Sequence, residues 1–437
     1  MSEFVITCSE INKNSNRLLK VFKFGGASVK DSSAVKSMTE IIKTNNDGPL
    51  IVIVSAMGKT TNAIEGLLQK VINEEDFSKD FLSLQKFHNN IIKELGLNHD
   101  ETFIKEISGI FTEIEMQLNS VSSALNYDYI YDQTVSLGEI LSTKIITNYL
   151  NHSGISSFWL DARKVIKTDS AHREAKIDWG ATQNIIRSNV AQNINEHVIV
   201  SQGFIGSNSN FNTTTLGREG SDFSAAIFGT SVKAESVTIW KDVSGVLNAD
   251  PKKFEDTKKY EELPYKEAAE MTFYGASVIH PKTIKPLAQK NIPLYVKSFE
   301  TPEANGTLIH DCIIPNLAPA IIHQDNQTVL SFKISDYSFI NEHHISLIFE
   351  NVNKLNLTIN LMQNSAISFT ICMDDNPIKR EKLRKALLEN FLIFYNEGLE
   401  MMTVKNYDQK TINDLMKGKE VIIEQRSRNN FQMVFKA

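Results

Sequence analysis

The sequence predicts an α/β protein in two parts, a large layered domain on a mostly parallel sheet followed by a smaller antiparallel α+β region. Three observations carry this. Short apolar runs alternate with helical patterns through the first two-thirds of the chain, and Leu50-Ile51-Val52-Ile53-Val54 is apolar throughout, as expected for a strand buried on both faces of a parallel sheet. Past about residue 305 the texture changes, with Pro302, Pro315 and Pro319 punctuating a linker-like stretch. Beyond it, strand and helix patterns follow in the order βαββαβ, that of the split βαβ or ferredoxin-like unit.

In chain order, residues 1–18 read as a polar leader. Leu18–Phe24 is a strand that stops at Gly25-Gly26, and Ser28–Thr44 is helical. After the strand at 50–54, apolar residues recur at three- and four-residue spacing over about 60–150, with few Gly or Pro. Strands resume at Ser156–Leu160, Val198–Ser201, Val237–Trp240 and Pro293–Val296, with helical patterns between. Such alternation places ligands beyond the carboxyl ends of the strands. In the tail the pattern runs strand Val329–Ile334, helix Phe339–Asn351, strands Asn356–Leu361 and Ala366–Cys372, helix Ile378–Glu389 and strand Leu392–Tyr395. An incomplete second set follows at Met401–Lys405, Val421–Glu424 and Gln432–Phe435.

Composition excludes several classes. The chain has 437 residues, and 46 Lys+Arg against 52 Asp+Glu give a net charge of −6. With no basic block, this argues against a nucleic-acid or anionic-membrane partner. No apolar run is long enough to span a bilayer, and Met1–Asn16 lacks the apolar core of a signal peptide, so a cytoplasmic location is expected. Cys8, Cys312 and Cys372 are too scattered for a disulfide framework or a close-spaced metal site, and His343-His344, adjacent in a helix, do not share a face.

Four segments near strand ends carry chemistry that a core does not need. In Lys23-Phe24-Gly25-Gly26-Ala27-Ser28-Val29, two glycines let backbone N–H groups approach an anion and Lys23 adds a point charge. A plain strand-to-helix turn would read the same. Ser55-Ala56-Met57-Gly58-Lys59-Thr60-Thr61 is not a P-loop, because Ile53 stands where that motif needs its first glycine; it is a small-residue turn suited to approaching a ligand. Thr213–Asp222 packs three hydroxyls, two glycines, Arg218, Glu219, Ser221 and Asp222 ahead of a helix, where Arg can fork onto a carboxylate and Asp can orient a metal or ligand group, or the segment is a solvated loop. Lys241-Asp242, with Asp250-Pro251-Lys252 beyond, suits nucleotide binding without being specific for it. Gly138-Glu139 interrupts an apolar helix, which suggests close approach to a ligand such as an ammonium, or a surface Glu beside an incidental Gly.

Taken together and in this order, the segments resemble the aspartokinases of the amino-acid kinase family, from about Leu19 to the C-terminus. Lys23–Val29 is similar to the family's Lys-Phe-Gly-Gly-Thr-Ser-Val signature, with Ala27 in place of Thr. The resemblance implies a three-layer amino-acid kinase domain over 19–304 with a helical excursion at about 65–128, followed by paired ACT units. The first unit would be 326–396. The second would combine 305–325 with 397–437, because 397–437 alone has too few strands.

By the same resemblance, the chain phosphorylates the β-carboxylate of L-aspartate with ATP and Mg²⁺, opening the lysine, threonine and methionine route. Lys23 and Asp222 would be catalytic. Ser55, Ala56, Thr61, Glu139, Phe204, Arg218 and Ser221 would hold aspartate, with Glu139 on the ammonium and Arg218 on the α-carboxylate. Lys23, Gly25, Gly26, Lys241, Asp242 and Lys252 would hold ATP. Asp161-Ala162-Arg163 matches a family turn, whereas Ser277 and Leu247 depart from a frequent lysine and a frequent aromatic near the nucleotide. An end-product amino acid would bind near Ser335, Asp336, Ser338, Phe339, Asn360 and Ser365. Asn360 and Ala366 stand where lysine-inhibited relatives carry carboxylates, so lysine would need other contacts, and threonine or no effector is equally open. A homodimer through ACT units is implied. The competing readings are a same-fold kinase for another small acid and a silent amino-acid sensor. The length leaves no room after the tail for a fused dinucleotide-binding domain.

Overall fold

A computed structural model describes residues 18–436 except 46, 122–125, 277–278 and 335–337. The described chain divides into two compact units. The first holds residues up to Val246, Lys259–Ala269 and 279–313; the second holds Leu247–Lys258, Glu270–Ala276 and 314–436.

The first unit is built on an eight-stranded sheet. Its strands are β1 (Lys20–Phe24), β2 (Leu50–Val54), β3 (Ser157–Leu160) and β4 (Val198–Gln202), then β7 (Ser236–Lys241), β8 (Glu262–Pro264), β9 (Leu294–Ser298) and β10 (Thr307–His310). A separate hairpin pairs β5 (Ile205–Ser207) with β6 (Thr213–Thr215). The sheet order is β3-β4-β2-β1-β7-β9-β10-β8, parallel from β3 to β9, with β10 antiparallel to β9. The apolar run of β2 is buried at every position, as its sequence requires.

The chain leaves β1 to build β2, β4 and β3 on one side, then returns to lay β7 on the other. That reversal opens a crevice beyond the carboxyl ends of β1, β2 and β7. Register aligns those ends, with Phe24 beside Val54 and Trp240. The long helical stretch resolves into helices Thr60–Ile72, Ser78–Glu94, Glu101–Asn119 and Tyr127–His152. Helix Gly220–Val232, buried along almost its whole length, packs on β1 and β7.

The second unit is one six-stranded antiparallel sheet of β11 (Ala320–Lys333), β12 (Ile359–Asn364), β13 (Ser368–Asp374), β14 (Leu392–Lys405), β15 (Glu420–Arg426) and β16 (Asn430–Lys436), in the order β12-β13-β11-β14-β16-β15. Two strands are longer than their sequence suggested. Leu392–Tyr395 and Met401–Lys405 are a single strand, because the chain passes Gly398 (φ +66°) without leaving the sheet; β11 shifts register opposite it, between Gln324 and Val329. The segment 305–325 divides between the two units. Thr307–His310 closes the first unit's sheet against β9 and β8, so that sheet extends past residue 304, whereas Ala320–Gln324 pairs with Met401–Lys405. Helices Glu342–Lys354 and Pro377–Leu387 cover part of this sheet through Ile348, Val352, Leu383 and Leu387, which join Leu330, Phe332 and Ile371 in one core.

Candidate active site

The crevice at the strand ends is a cleft of about 730 Å³. Lys23, one residue before the end of β1, and Lys241, the last residue of β7, enter it from adjacent strands. Asp222, in the first turn of helix Gly220–Val232, lies between them. Its carboxylate oxygens are 2.7 Å from Lys23 Nζ and 3.2 Å from Lys241 Nζ. Burial alone would raise the Asp222 carboxyl, but the two ammonium groups hold it far below the ordinary range. Glu219 approaches Lys241 at 3.5 Å; burial and the nearby Asp222 charge raise its carboxyl, with Lys241 opposing. Burial lowers Lys241, and the two carboxylates more than offset this to raise it. Two cations therefore share one buried anion, with Glu219 as a second carboxylate beside Lys241.

Close approach of the first two loops depends on Gly26. A Cβ there would lie 2.6 Å from the Gly58 carbonyl oxygen and 2.9 Å from that of Ala56. The Gly58 N–H donates to the Gly26 carbonyl at 3.0 Å, which sets Ser55, Ala56 and Thr61 into the wall beside Lys23.

Against this wall stands Glu139, 2% exposed, on the buried helix Tyr127–His152. Thr61 donates to its Oε1 at 3.4 Å and the Ala56 N–H also donates to the carboxylate, while Oε2 has no partner among the described residues. Burial pushes this carboxyl up to about 8, against the lowering pull of Ala56, Lys23 and Thr61. Gly138 serves a different purpose from the one its sequence context suggested. A Cβ there would meet Thr60 and Ile64 side chains at 3.0 and 3.2 Å, so the glycine seats one helix against another.

Arg218, exposed, and Ser221 complete the wall with Phe204. Phe204 and Glu219 have left-handed backbones, at φ +74° and +55°, the kind of local strain that persists where surroundings fix it. The Phe204 N–H donates to Ser224 Oγ at 3.0 Å and its carbonyl accepts from the Leu216 N–H at 2.9 Å.

Not every expected residue joins this cleft. Gly25 is outside the lining, although a Cβ on it would lie 3.4 Å from Lys23 Nζ; its carbonyl accepts the Ser28 N–H at 3.0 Å. Asp242 is exposed and outside the lining, and so is Lys252, which lies in the segment Leu247–Lys258 of the second unit. Arg163 forks onto Asp161, the cap of its own short helix. In the second unit, Asn360 Nδ2 donates to Gln327 Oε1 and Asp374 Oδ1, both at 2.8 Å, and Ser365 closes the β12–β13 turn against Ser368. Phe339 is exposed. Ser335, Asp336 and Ser277 lie outside the described residues.

The sequence reading missed Tyr131, Asp132, Arg173 and Glu174, and took Thr215 only as one hydroxyl of its third segment. Asp132, fully buried, accepts from Thr215 N and Oγ1 at 3.0 and 2.6 Å, from the Arg173 N–H at 3.1 Å, and faces His172 Nδ1 at 2.9 Å. It ties two wall segments to the helix that presents Glu139. Its spacing of seven residues from Glu139, which puts both on one helix face, was the available signal.

The model of the amino acid kinase family matches residues 19–298. Lysine-sensitive aspartokinase 3 of Escherichia coli is 30% identical over 81% of this chain and 78% of its own length. Aspartokinase 1, chloroplastic, of Arabidopsis thaliana is 27% identical over 92% of this chain and 69% of its own. Bifunctional aspartokinase/homoserine dehydrogenase 2 of the same plant is 32% identical, and this chain spans 32% of its length. The crystal structure of E. coli aspartokinase III in complex with aspartate and ADP, in the R-state, superposes with a TM-score of 0.82 at 26% identity, covering 96% of each chain. The same enzyme with lysine and aspartate, in the T-state, gives 0.79. A sheet whose strand ends gather two lysines around one buried carboxylate, and likeness to these enzymes over nearly its full described length, lead to one assignment: the chain belongs to the amino acid kinase family, within its aspartokinase branch.

Proposed function

We propose that the chain transfers the γ-phosphoryl group of ATP to the β-carboxylate of L-aspartate, giving 4-phospho-L-aspartate and ADP. The observation that carries this is the division of the cleft into two chemistries. Paired cations, Lys23 and Lys241, occupy the strand ends, and the same cleft is lined by a carboxylate that can accept an ammonium, Glu139, and a guanidinium that can receive a carboxylate, Arg218.

The β-carboxylate is already an anion at neutral pH, so it needs no general base. One of its oxygens attacks the γ-phosphorus as the bond from phosphorus to the bridging oxygen breaks and ADP leaves. The obstacle is repulsion between two anions. Lys23 and Lys241 reduce it, and Asp222 fixes both ammonium groups where charge develops. Glu139 with Thr61 would receive the substrate ammonium and Arg218 its α-carboxylate, which leaves the β-carboxylate as the end free to react. Mg²⁺ fits as a group carried in on the phosphates. Asp222 is already spent on two lysines, and Glu219 is the remaining carboxylate on the phosphate side of the cleft. When bound, it would neutralise phosphate charge.

The second unit would regulate the first through an end-product amino acid, and we propose a homodimer formed through this unit. Sedimentation at micromolar concentration is expected to give the dimer mass; a monomer refutes that assembly. The activity is tested by trapping the acyl phosphate with hydroxylamine. Hydroxamate that requires both ATP and L-aspartate is expected. Equal product with glutamate, or none with aspartate, would overturn the substrate assignment.

A further inference from the structure

Among the described residues, six that are neither glycine nor asparagine adopt a left-handed backbone: Glu74, Arg173, Phe204, Phe211, Glu219 and Lys233. Three of the six, Arg173, Phe204 and Glu219, line the cleft. Phe204 and Glu219 already belong to the site described above. Arg173 lines the same cleft without a role assigned above; its conformation (φ +67°) is equally unfavourable for a long side chain and is held by a buried carboxylate, Asp132, that accepts its N–H.

The side chain of Arg173 is placed for recognition. Its guanidinium stacks on the ring of Tyr131 at 4.2 Å and lies 5.6 Å from that of Tyr127. Stacking uses the face of the guanidinium and leaves its in-plane N–H fork available. Glu65 and Asp128 form long ion pairs with it at 3.9 and 3.7 Å, too far for hydrogen bonds that a bound carboxylate would have to displace, and the side chain is 41% exposed.

Its neighbours place it on one side of the cleft. Glu65 is one turn beyond Thr61 on its helix, and Tyr131 and Asp128 precede Glu139 on theirs, so Arg173 stands against the two helices that present the ammonium acceptor. Its backbone packs against Gly217, directly before Arg218: a Cβ on Gly217 would come within 3.1 Å of the Arg173 carbonyl oxygen. Lys23, Asp222 and Lys241 belong instead to the strand ends.

We infer that Arg173 is a specificity-determining residue, a second carboxylate-recognition point on the amino-acid side of the cleft in addition to Arg218. The inference rests on the aspartate kinase reading above. A dicarboxylate brings two anionic ends into a site whose phosphate cations are shared with Asp222. A second guanidinium beside Arg218 strengthens the hold on the α-carboxylate, leaves the β-carboxylate free to react, and by its charge steers an anionic amino acid in ahead of a neutral one.

The test uses the full chain and its Arg173→Gly and Arg173→Lys variants. Glycine accepts the left-handed backbone, so the first variant removes the guanidinium without a folding penalty. For Arg173→Gly the aspartate KM is expected to rise about ten- to a hundredfold, as for loss of a charged hydrogen bond. The ATP KM and kcat should stay within about twofold, and the melting temperature should not fall. Arg173→Lys, which keeps the charge but not the stacked fork, should lie between. Aspartate should also raise the melting temperature of the Arg173→Gly variant less than that of the unmodified chain. An unchanged aspartate KM, or a rise in ATP KM as large as that for aspartate, overturns the inference. A fall in melting temperature with a uniform loss of activity does so too, because it makes Arg173 merely structural. An unmodified chain that forms no aspartyl phosphate removes the aspartate kinase reading and this inference together; an active chain with an unmoved Arg173→Gly KM removes this inference alone.

Discussion

Glu139 offers the sharpest perturbation, because its chemistry and its cost to the fold have opposite signs. The carboxyl is buried, its Oε2 lacks a partner, and it is raised from 4.5 to about 8, chiefly by burial. An ammonium is bound well only by the ionised form. With a value of about 8, about one site in eleven is ionised at pH 7 and about three in four at pH 8.5. The aspartate KM is therefore expected to fall about eightfold over that interval. In Glu139→Gln the amide keeps an acceptor for Thr61 and Ala56 but loses the charge, so KM should be high and flat across the same range. Stability moves the other way. The folded chain holds this proton more tightly than the unfolded chain does. Its contribution is fully present below about 4.5 and is lost as pH rises through about 8, with a ceiling of about 5 kcal/mol. Glu139→Gln should thus resist urea better than the unmodified chain above pH 8 while binding aspartate worse. The assay is initial rate against aspartate at fixed saturating ATP from pH 7 to 8.5, with urea denaturation at both ends. A flat KM in the unmodified chain refutes the reasoning. A slope that survives in Glu139→Gln does so as well, since it would belong to another group, such as Glu219.

Lys23→Ala and Asp222→Ala should each lower kcat about a hundredfold or more with little change in aspartate KM, because both act where the phosphoryl charge develops. Arg218→Ala should raise the aspartate KM and spare kcat; steady-state kinetics in both substrates separates the two patterns. Lysine and threonine, titrated separately, should identify the effector. Asn360→Ala should leave any lysine inhibition in place, since the Asn360 amide is spent on Gln327 and Asp374; abolition of tight lysine inhibition by that change alone would refute this.

The parts legible in the sequence were those whose physics is local. Lys23-Phe24-Gly25-Gly26 announces a turn, and what excludes a Cβ at Gly26 is the carbonyls of Gly58 and Ala56, a close approach of two loops that the sequence reading assigned to an anion instead. The apolar run of β2 announces burial on both faces in the same way. The hairpin β5–β6 was invisible as strands, because three residues each are too few to show a period, and Thr213-Thr214-Thr215 reads as polar loop although all three are buried. The sequence reads β11 as beginning at Val329 and β14 as two separate strands. Polar residues and Gly398 interrupt the pattern of β14 where the strands shift register, a bend in the sheet that resembles its end.

Legibility of the site failed for a different reason. Arg218, Asp222 and Glu139 stand out because charged residues beside glycines near strand ends invite a chemical reading. Asp132 and Arg173 have no such setting in the sequence, yet they determine where the walls of the cleft stand. A carboxylate that collects donors from residues 40 and 80 positions away is meaningful only once the chain has folded. The same holds for charge. Asp222 reads as one acid among many, but between Lys23 and Lys241 it stays ionised in a place where burial alone would neutralise it. Glu139, also buried but given no ammonium of its own, keeps its proton at neutral pH. Two carboxylates in one cleft are thus driven in opposite directions by what faces them. That separation is what lets one carboxylate hold the phosphate cations permanently while the other waits for a cation that arrives with the substrate.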